Sequence, residues 1–177
     1  MLLNALLFSA ATVAASPKFP LVVNHEYMSV EFAPRKAVQM GSFYEARGFP
    51  REMREVIQQQ CYITVKIHNR SQKKIWLDMA DWQFSINGKA LKREHRDVWK
   101  QRWQAMNVPL RYQSTFRWTL IPETLDYLPG EEEGGNILLP FTKEKITLDA
   151  TFATGEDKQG EPIHIHYDQL YCAEDDS

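Results

Sequence analysis

The chain has 177 residues, 25% of them charged, a formal net charge of −2 and an isoelectric point near 6.2. That balance excludes a general nucleic-acid binder, which needs a basic footprint, and the length suits one domain large enough to bury a core. Only two cysteines are present, Cys61 and Cys172, with no C-x-x-C pair to suggest a redox motif or a zinc ribbon.

The chain opens on the uncharged apolar run Leu2 to Ala15. It is too short to span a bilayer and ends with Val13 and Ala15 in the small-residue pattern read by signal peptidase. Residues 1–15 are therefore expected to be a signal peptide and residues 16–177 a single exported domain, periplasmic or secreted. Nothing later is apolar enough for a membrane span. In an oxidising compartment Cys61 and Cys172 are expected to pair. Closing a loop of that length stabilises the fold by roughly 4–5 kcal/mol in the chain-entropy account.

Period-two alternation follows the leader. Met28, Val30 and Phe32 alternate with Ser29 and Glu31, and Cys61, Ile63, Val65 and Ile67 alternate with Tyr62, Thr64, Lys66 and His68; both patterns predict half-buried strands. A polar turn from Asn69 to Lys74 leads into Ile75-Trp76-Leu77. Trp82, Phe84 and Ile86 come before Asn87-Gly88, a strong hairpin signal. Further strands are predicted around Phe116, Trp118 and Leu120, at Ile137 to Leu139, at Ile146 to Phe152, and from Ile163 to Tyr171. If Cys172 points inward, strict alternation also turns His164, His166 and Leu170 inward, so a bulge between Tyr167 and Cys172 is expected.

Two segments break this rhythm. Pro50 to Gln60 starts with proline at a helix-entry position and places Met53, Val56 and Ile57 on one face. Glu94 to Met106 spaces Trp99, Trp103 and Met106 for one face of a second helix. The resulting fold class is an all-β, antiparallel sandwich of seven to eight strands with one or two short inserted helices.

The segment Cys61-Tyr-Ile-Thr-Val-Lys-Ile-His-Asn-Arg-Ser71, a strand ending in an Asn-containing turn, and the segment Leu128-Pro-Gly-Glu-Glu-Glu-Gly-Gly-Asn-Ile-Leu-Leu-Pro-Phe141 together resemble the immunoglobulin-like β-sandwich domains that bacteria export as accessory modules. The resemblance implies an immunoglobulin-like fold and carries no activity.

Enzymatic signatures such as a nucleophile elbow, a H-E-x-x-H helix, a Walker loop or a dinucleotide fingerprint are missing from the sequence, and a non-enzymatic role without a cofactor is expected. Lys89 to Trp118 is the richest candidate. Eight Lys or Arg stand there against Glu94 and Asp97, interleaved with aromatic residues. Basic side chains beside tryptophan suit an anionic partner, so Arg96, Trp99, Arg102, Trp103 and Arg111 are the expected partner-binding residues. The partner is expected to be an envelope protein, an anionic polysaccharide or a lipid head group. The alternative is a metal site: His164 and His166, two residues apart on one strand, project from the same face and suit copper or zinc if a third donor such as His68, Asp168 or, for Cu(I), Met28 or Met40 joins them. Glu131-Glu-Glu133 reads as a solvated turn, and Asn69-Arg-Ser71 matches a glycosylation sequon that also serves as turn chemistry.

Overall fold

The computed structural model describes residues 20–175, so the expected signal peptide lies outside the described residues. Ten strands form two antiparallel sheets. The first runs in the order β1 (Leu21–Asn24), β2 (Met28–Arg35), β3 (Gln60–Asn69) and β8 (Glu132–Pro140). The second is centred on β9 (Ile146–Thr154), which pairs with β10 (Ile163–Leu170), β5 (Trp82–Ile86) and β4 (Ile75–Asp78); the short β6 (Lys89–Ala90) continues from β5, and β7 (Thr124–Tyr127) from β4.

The sandwich core follows the alternation of the sequence. Met28, Val30 and Phe32 of β2 and Cys61, Ile63, Val65 and Ile67 of β3 face Phe84, Leu148, Phe152 and Ile165 across the interior. Phe32 bridges the sheets directly, stacking on Tyr167 and meeting Trp82 edge-on. On β10 the register shifts between Tyr167 and Leu170, as the parity argument requires. Ile163 and Ile165 stay inward before the shift, Leu170 and Cys172 after it, and His164 and His166 face solvent. Cys172 is thereby brought to Cys61, and the two form a disulfide across 111 residues of chain.

Turn chemistry sets the ends of the strands. Asn87 and Gly88 both take positive φ, which joins β5 to β6 as a tight hairpin. Asn69 is completely buried. Its amide donates to the carbonyls of Lys73 and Tyr127, and its oxygen accepts from the N–H and hydroxyl of Ser71. Gly130, at positive φ, donates its N–H to the Asn69 carbonyl. The sequon is thus consumed as the pin between two turns, and its amide nitrogen is out of reach of a glycan-transferring enzyme.

Helices exceed the one or two expected: among the described residues there are four, in two consecutive pairs. The α1 (Ala37–Glu45) and α2 (Arg51–Gln58) pair joins β2 to β3, and the α3 (Arg96–Ala105) and α4 (Leu110–Thr119) pair joins β6 to β7. Their apolar faces form a second core against the outer side of the first sheet, built from Tyr44, Phe49, Met53, Ile57, Trp99, Trp103 and Phe116 against Tyr62 and Leu138. The protein is therefore a three-layer stack of sheet, sheet and helices, and the Pro50 and Glu94 segments are helical as expected. The strand expected over Phe116, Trp118 and Leu120 is a correction, because Phe116 belongs to α4. Residues two apart share a face on a strand but stand about 200° apart on a helix, which is why Phe116 is buried and Trp118 is not.

Candidate functional site

The α3–α4 hairpin carries all five expected partner-binding residues, and one carboxylate fixes both of its ends. Glu123, just past α4, accepts two hydrogen bonds from the Arg93 guanidinium ahead of α3, one of them at 3.1 Å, and one at 2.7 Å from the backbone N–H of Arg96 in the first turn of α3. A carboxylate at that place also meets the positive end of the helix dipole. Burial alone raises a carboxyl's pKa; the Arg93 and Arg96 donors outweigh it and hold Glu123 below the usual range. His95 caps the same helix, its Nδ1 accepting from the Asp97 N–H at 3.1 Å.

Between the two helices the chain turns at Asn107, whose positive φ lets Val108 return its N–H to the Trp103 carbonyl. Trp99 and Trp103 then lie 5.5 Å apart, and Phe116 meets Trp103 edge-on at 5.2 Å. Behind this cluster runs a buried hydroxyl chain. Thr119 donates to the Phe116 carbonyl, so Tyr44 must donate to Thr119 at 2.8 Å, and Tyr62 to Tyr44 at 2.7 Å. Burial pushes both phenols above their ordinary range, so they remain neutral hydrogen-bonding groups.

The sequence reading therefore needs correction at its centre: Trp99 and Trp103 are 2% and 1% exposed. They are the floor of the second core and cannot form a broad contact surface. Arg102 lies over the Trp99 ring at 4.3 Å and pairs with Glu94 at 2.8 Å. Arg111 lies over Tyr112 and donates to its hydroxyl. Of the five expected residues, Arg96, Trp99 and Trp103 meet in one place, a groove of about 310 Å³ between α3 and α4. Arg102 and Arg111 lie outside it.

The groove adds residues that the sequence reading passed over. Lys100 and Arg117 supply charge, Leu110 and Ser114 form the α4 wall, and Gln113 reaches its inner side. Arg96 donates to the Arg117 carbonyl, and Arg117 pairs with Asp97 at 2.8 Å. Burial, and then the neighbouring Arg117, pull the Arg96 guanidinium below its ordinary pKa, although an arginine stays cationic throughout. Among the described residues, the buried Nε of Arg96, the Nε1 of Trp103 and the Oε1 of Gln113 have no hydrogen-bond partner. Two donors and one acceptor without partners at one groove are unusual, because buried polar atoms are normally satisfied.

Among the described residues the largest exposed apolar display is on α4. Trp118 is 86% and Leu110 71% exposed, while no other large apolar side chain among the described residues exceeds 53%. The signal was available in the sequence: the same 3.6-residue period that buries Phe116 places Leu110, Ser114 and Trp118 along the opposite face.

The remaining candidates resolve differently. His164 and His166 stand on the solvent side of β10, where His164 pairs with Thr151 at 3.1 Å and His166 with Asp149 at 2.6 Å. The Asp149 carboxylate raises the His166 pKa. His68 lies on the first sheet, and Met28 and Met40 are buried, so none of these joins the pair. Among the described residues no three His, Cys, Asp or Glu side chains converge as a metal site would require. Glu131 closes its own turn on the Leu128 N–H, and Glu132 pairs with Lys66 at 3.1 Å. A larger groove of about 460 Å³ lies on the first sheet beside α1. Its lining carries Arg35, Lys36 and Lys66 against Glu31, and Lys66 is bracketed by Glu31 and Glu132. No helix among the described residues is long and apolar enough to cross a membrane.

No protein-family model, curated protein or solved structure matches this chain.

Proposed function

We propose that this chain is a non-enzymatic accessory module of the cell envelope, an exported immunoglobulin-like sandwich that docks on an anionic component through the outer side of the α3–α4 hairpin. The observation that carries this reading is the charge of the hairpin. From Arg96 to Thr119 it holds Arg96, Lys100, Arg102, Arg111 and Arg117 against the single carboxylate Asp97, in a chain whose net charge is −2. Such a local excess attracts an anionic surface and fixes its orientation, an effect that falls with ionic strength. The disulfide suits an oxidising compartment.

The groove between the helices offers guanidinium and ammonium donors to an anionic group over an aromatic floor, while the two helix pairs and the sandwich hold it rigid. Charge reversal tests the reading. Lys100→Glu with Arg117→Glu alters exposed or groove-edge side chains and leaves the core aromatic cluster in place. Retention of the protein on isolated cell envelopes at low salt is expected to fall at least about tenfold in this variant. Unchanged retention in a variant that melts like the parent would remove the hairpin as the docking element.

A further inference from the structure

We propose that α4 is an interfacial anchor that settles on an anionic phospholipid surface, with Leu110 and Trp118 entering the head-group region and the arginines and Lys100 beside them meeting lipid phosphates. This rests on the reading of the α3–α4 face as the docking element and names its partner.

The argument begins with what α4 displays. Its ten residues, Leu110–Thr119, contain Arg111 and Arg117 and no Asp or Glu. On a helical projection Leu110, Ser114 and Trp118 fall along one outer stripe, with Arg111 and Arg117 on its two flanks. The stripe is about 12 Å long at 1.5 Å per residue. Its ends are the two most exposed large apolar side chains of the described protein, and the small Ser114 lies between them. The inner side of the helix is fully committed, with Phe116 and Tyr112 packed into the second core. The stripe is therefore not a misplaced core face.

The shape of the display favours a soft partner over a rigid one. Trp118 and Leu110 stand out from a convex helix shoulder; a protein or glycan partner would need a matching pocket for each, whereas a bilayer interface deforms around both. Tryptophan suits that interface because its ring is apolar and its N–H can stay wet. Leucine supplies depth, and arginine side chains flanking an apolar stripe keep their charge at phosphate level while their stems lie along the acyl boundary. Each basic residue near an anionic leaflet strengthens the attraction, and the effect fades within a Debye length.

The groove sits alongside the stripe, since Leu110, Ser114 and Arg117 line it from α4 and Arg96 and Lys100 from α3. A phosphate arriving with the membrane surface meets the Arg96 guanidinium, the Lys100 ammonium and Arg117, which also pairs with the groove's one carboxylate, Asp97. Charge and apolar display thus share one face, as a membrane-surface helix requires.

The test is co-sedimentation of the full chain with vesicles of equal parts phosphatidylglycerol and phosphatidylcholine, compared with pure phosphatidylcholine. The full chain keeps its apolar N-terminal run, so the informative comparison is between parent and variant in the same background. Leu110→Ala with Trp118→Ala removes only exposed side chains and is expected to lower partition onto the anionic vesicles by about tenfold or more. Parent binding is expected to fall as sodium chloride is raised. In addition, the parent's tryptophan emission should shift to shorter wavelength with anionic vesicles, and Trp118→Phe should abolish the shift. Equal partition of parent and double variant, or no preference for phosphatidylglycerol, overturns the lipid anchor. If that happens while Lys100→Glu with Arg117→Glu still releases the protein from whole envelopes, the docking face stands and its partner is an envelope protein or acidic polysaccharide. If neither variant changes anything, both readings fall.

Discussion

Replacing Glu123 by alanine should loosen the α3–α4 hairpin from the sandwich. The carboxylate holds three donors at once: two from Arg93 ahead of the hairpin and the Arg96 N–H at its entry. The Glu123 carbonyl also accepts from Met79, an interaction the substitution spares. The Arg93 and Glu123 side chains are only 13% and 19% exposed, so the pair is neither a screened surface bridge worth a few tenths of a kcal/mol nor a fully buried one costing 3–5 kcal/mol to break. Losing it, together with the interaction at the N-terminus of α3, should cost about 2 kcal/mol. For a domain of this size that is a fall in Tm of roughly 4–8 °C, or about 1 M in urea midpoint if m is near 2 kcal/mol/M. Tryptophan emission reports it directly, because Trp99 and Trp103 sit on this hairpin. The pH dependence supplies the second arm. Glu123 has a lowered pKa in the folded state, so its contribution is complete above the unfolded carboxyl value and is lost as pH falls through the lower folded value. The gap between parent and Glu123→Ala should therefore be widest near neutrality and close in acid. A loss below about 0.5 kcal/mol at pH 7, or a gap that widens in acid, would refute the clamp.

Three further outcomes follow from other parts of the fold. Replacing both Cys61 and Cys172 by serine should lower stability by roughly 4–5 kcal/mol, since the bridge closes 111 residues; denaturant melts with and without reductant should show the same loss in the parent. Gly135→Ala would place a Cβ 2.4 Å from the Ile121 nitrogen and 2.6 Å from its Cα, where the chain leaving α4 crosses β8, so a loss of about 2 kcal/mol or more is expected in a urea melt. His166 should titrate above the ordinary histidine value by NMR, because the Asp149 carboxylate favours its protonated form, and Asp149→Asn should bring it back down. Any stability that this pair adds is present below the unfolded histidine pKa and lost as pH rises through the folded one.

The β part of the fold was legible in the sequence because its signals are local. Alternation on β2 and β3, Asn87-Gly88 and the buried-face parity of β10 each depend on near neighbours in the chain. Even the bulge after Tyr167 could be inferred, because Ile163, Ile165 and Cys172 cannot all face inward without it. Phe116, Trp118 and Leu120 misled for a definite reason: three apolar residues at spacing two satisfy a strand pattern, and only Pro109 and the Tyr112–Phe116 spacing argue for a helix. The helix α1 was missed because its first turn lacks an acidic residue and its buried side chains, Met40 and Tyr44, share the helix with the exposed apolar Val38 and Phe43, which blurs the periodic contrast.

The misplacement of the site has the same origin. A tryptophan beside arginine reads identically whether the ring lines a core or a surface, and the helical period that sets Trp118 opposite Phe116 shows only that one face of α4 is inward, without saying what it or the Trp99–Trp103 face packs against. The distinction comes from the outer face of the first sheet. Tyr62 and Leu138 are apolar residues on a side of β3 and β8 that would otherwise be wet, and they need a cover. The two helix pairs supply it, with Trp99, Trp103 and Phe116 turned inward and Trp118 left outside by the helical period. Once the helices are committed to covering that sheet, their basic residues can only rim the groove or face solvent, and Trp118, turned out by the period of α4, stands among them.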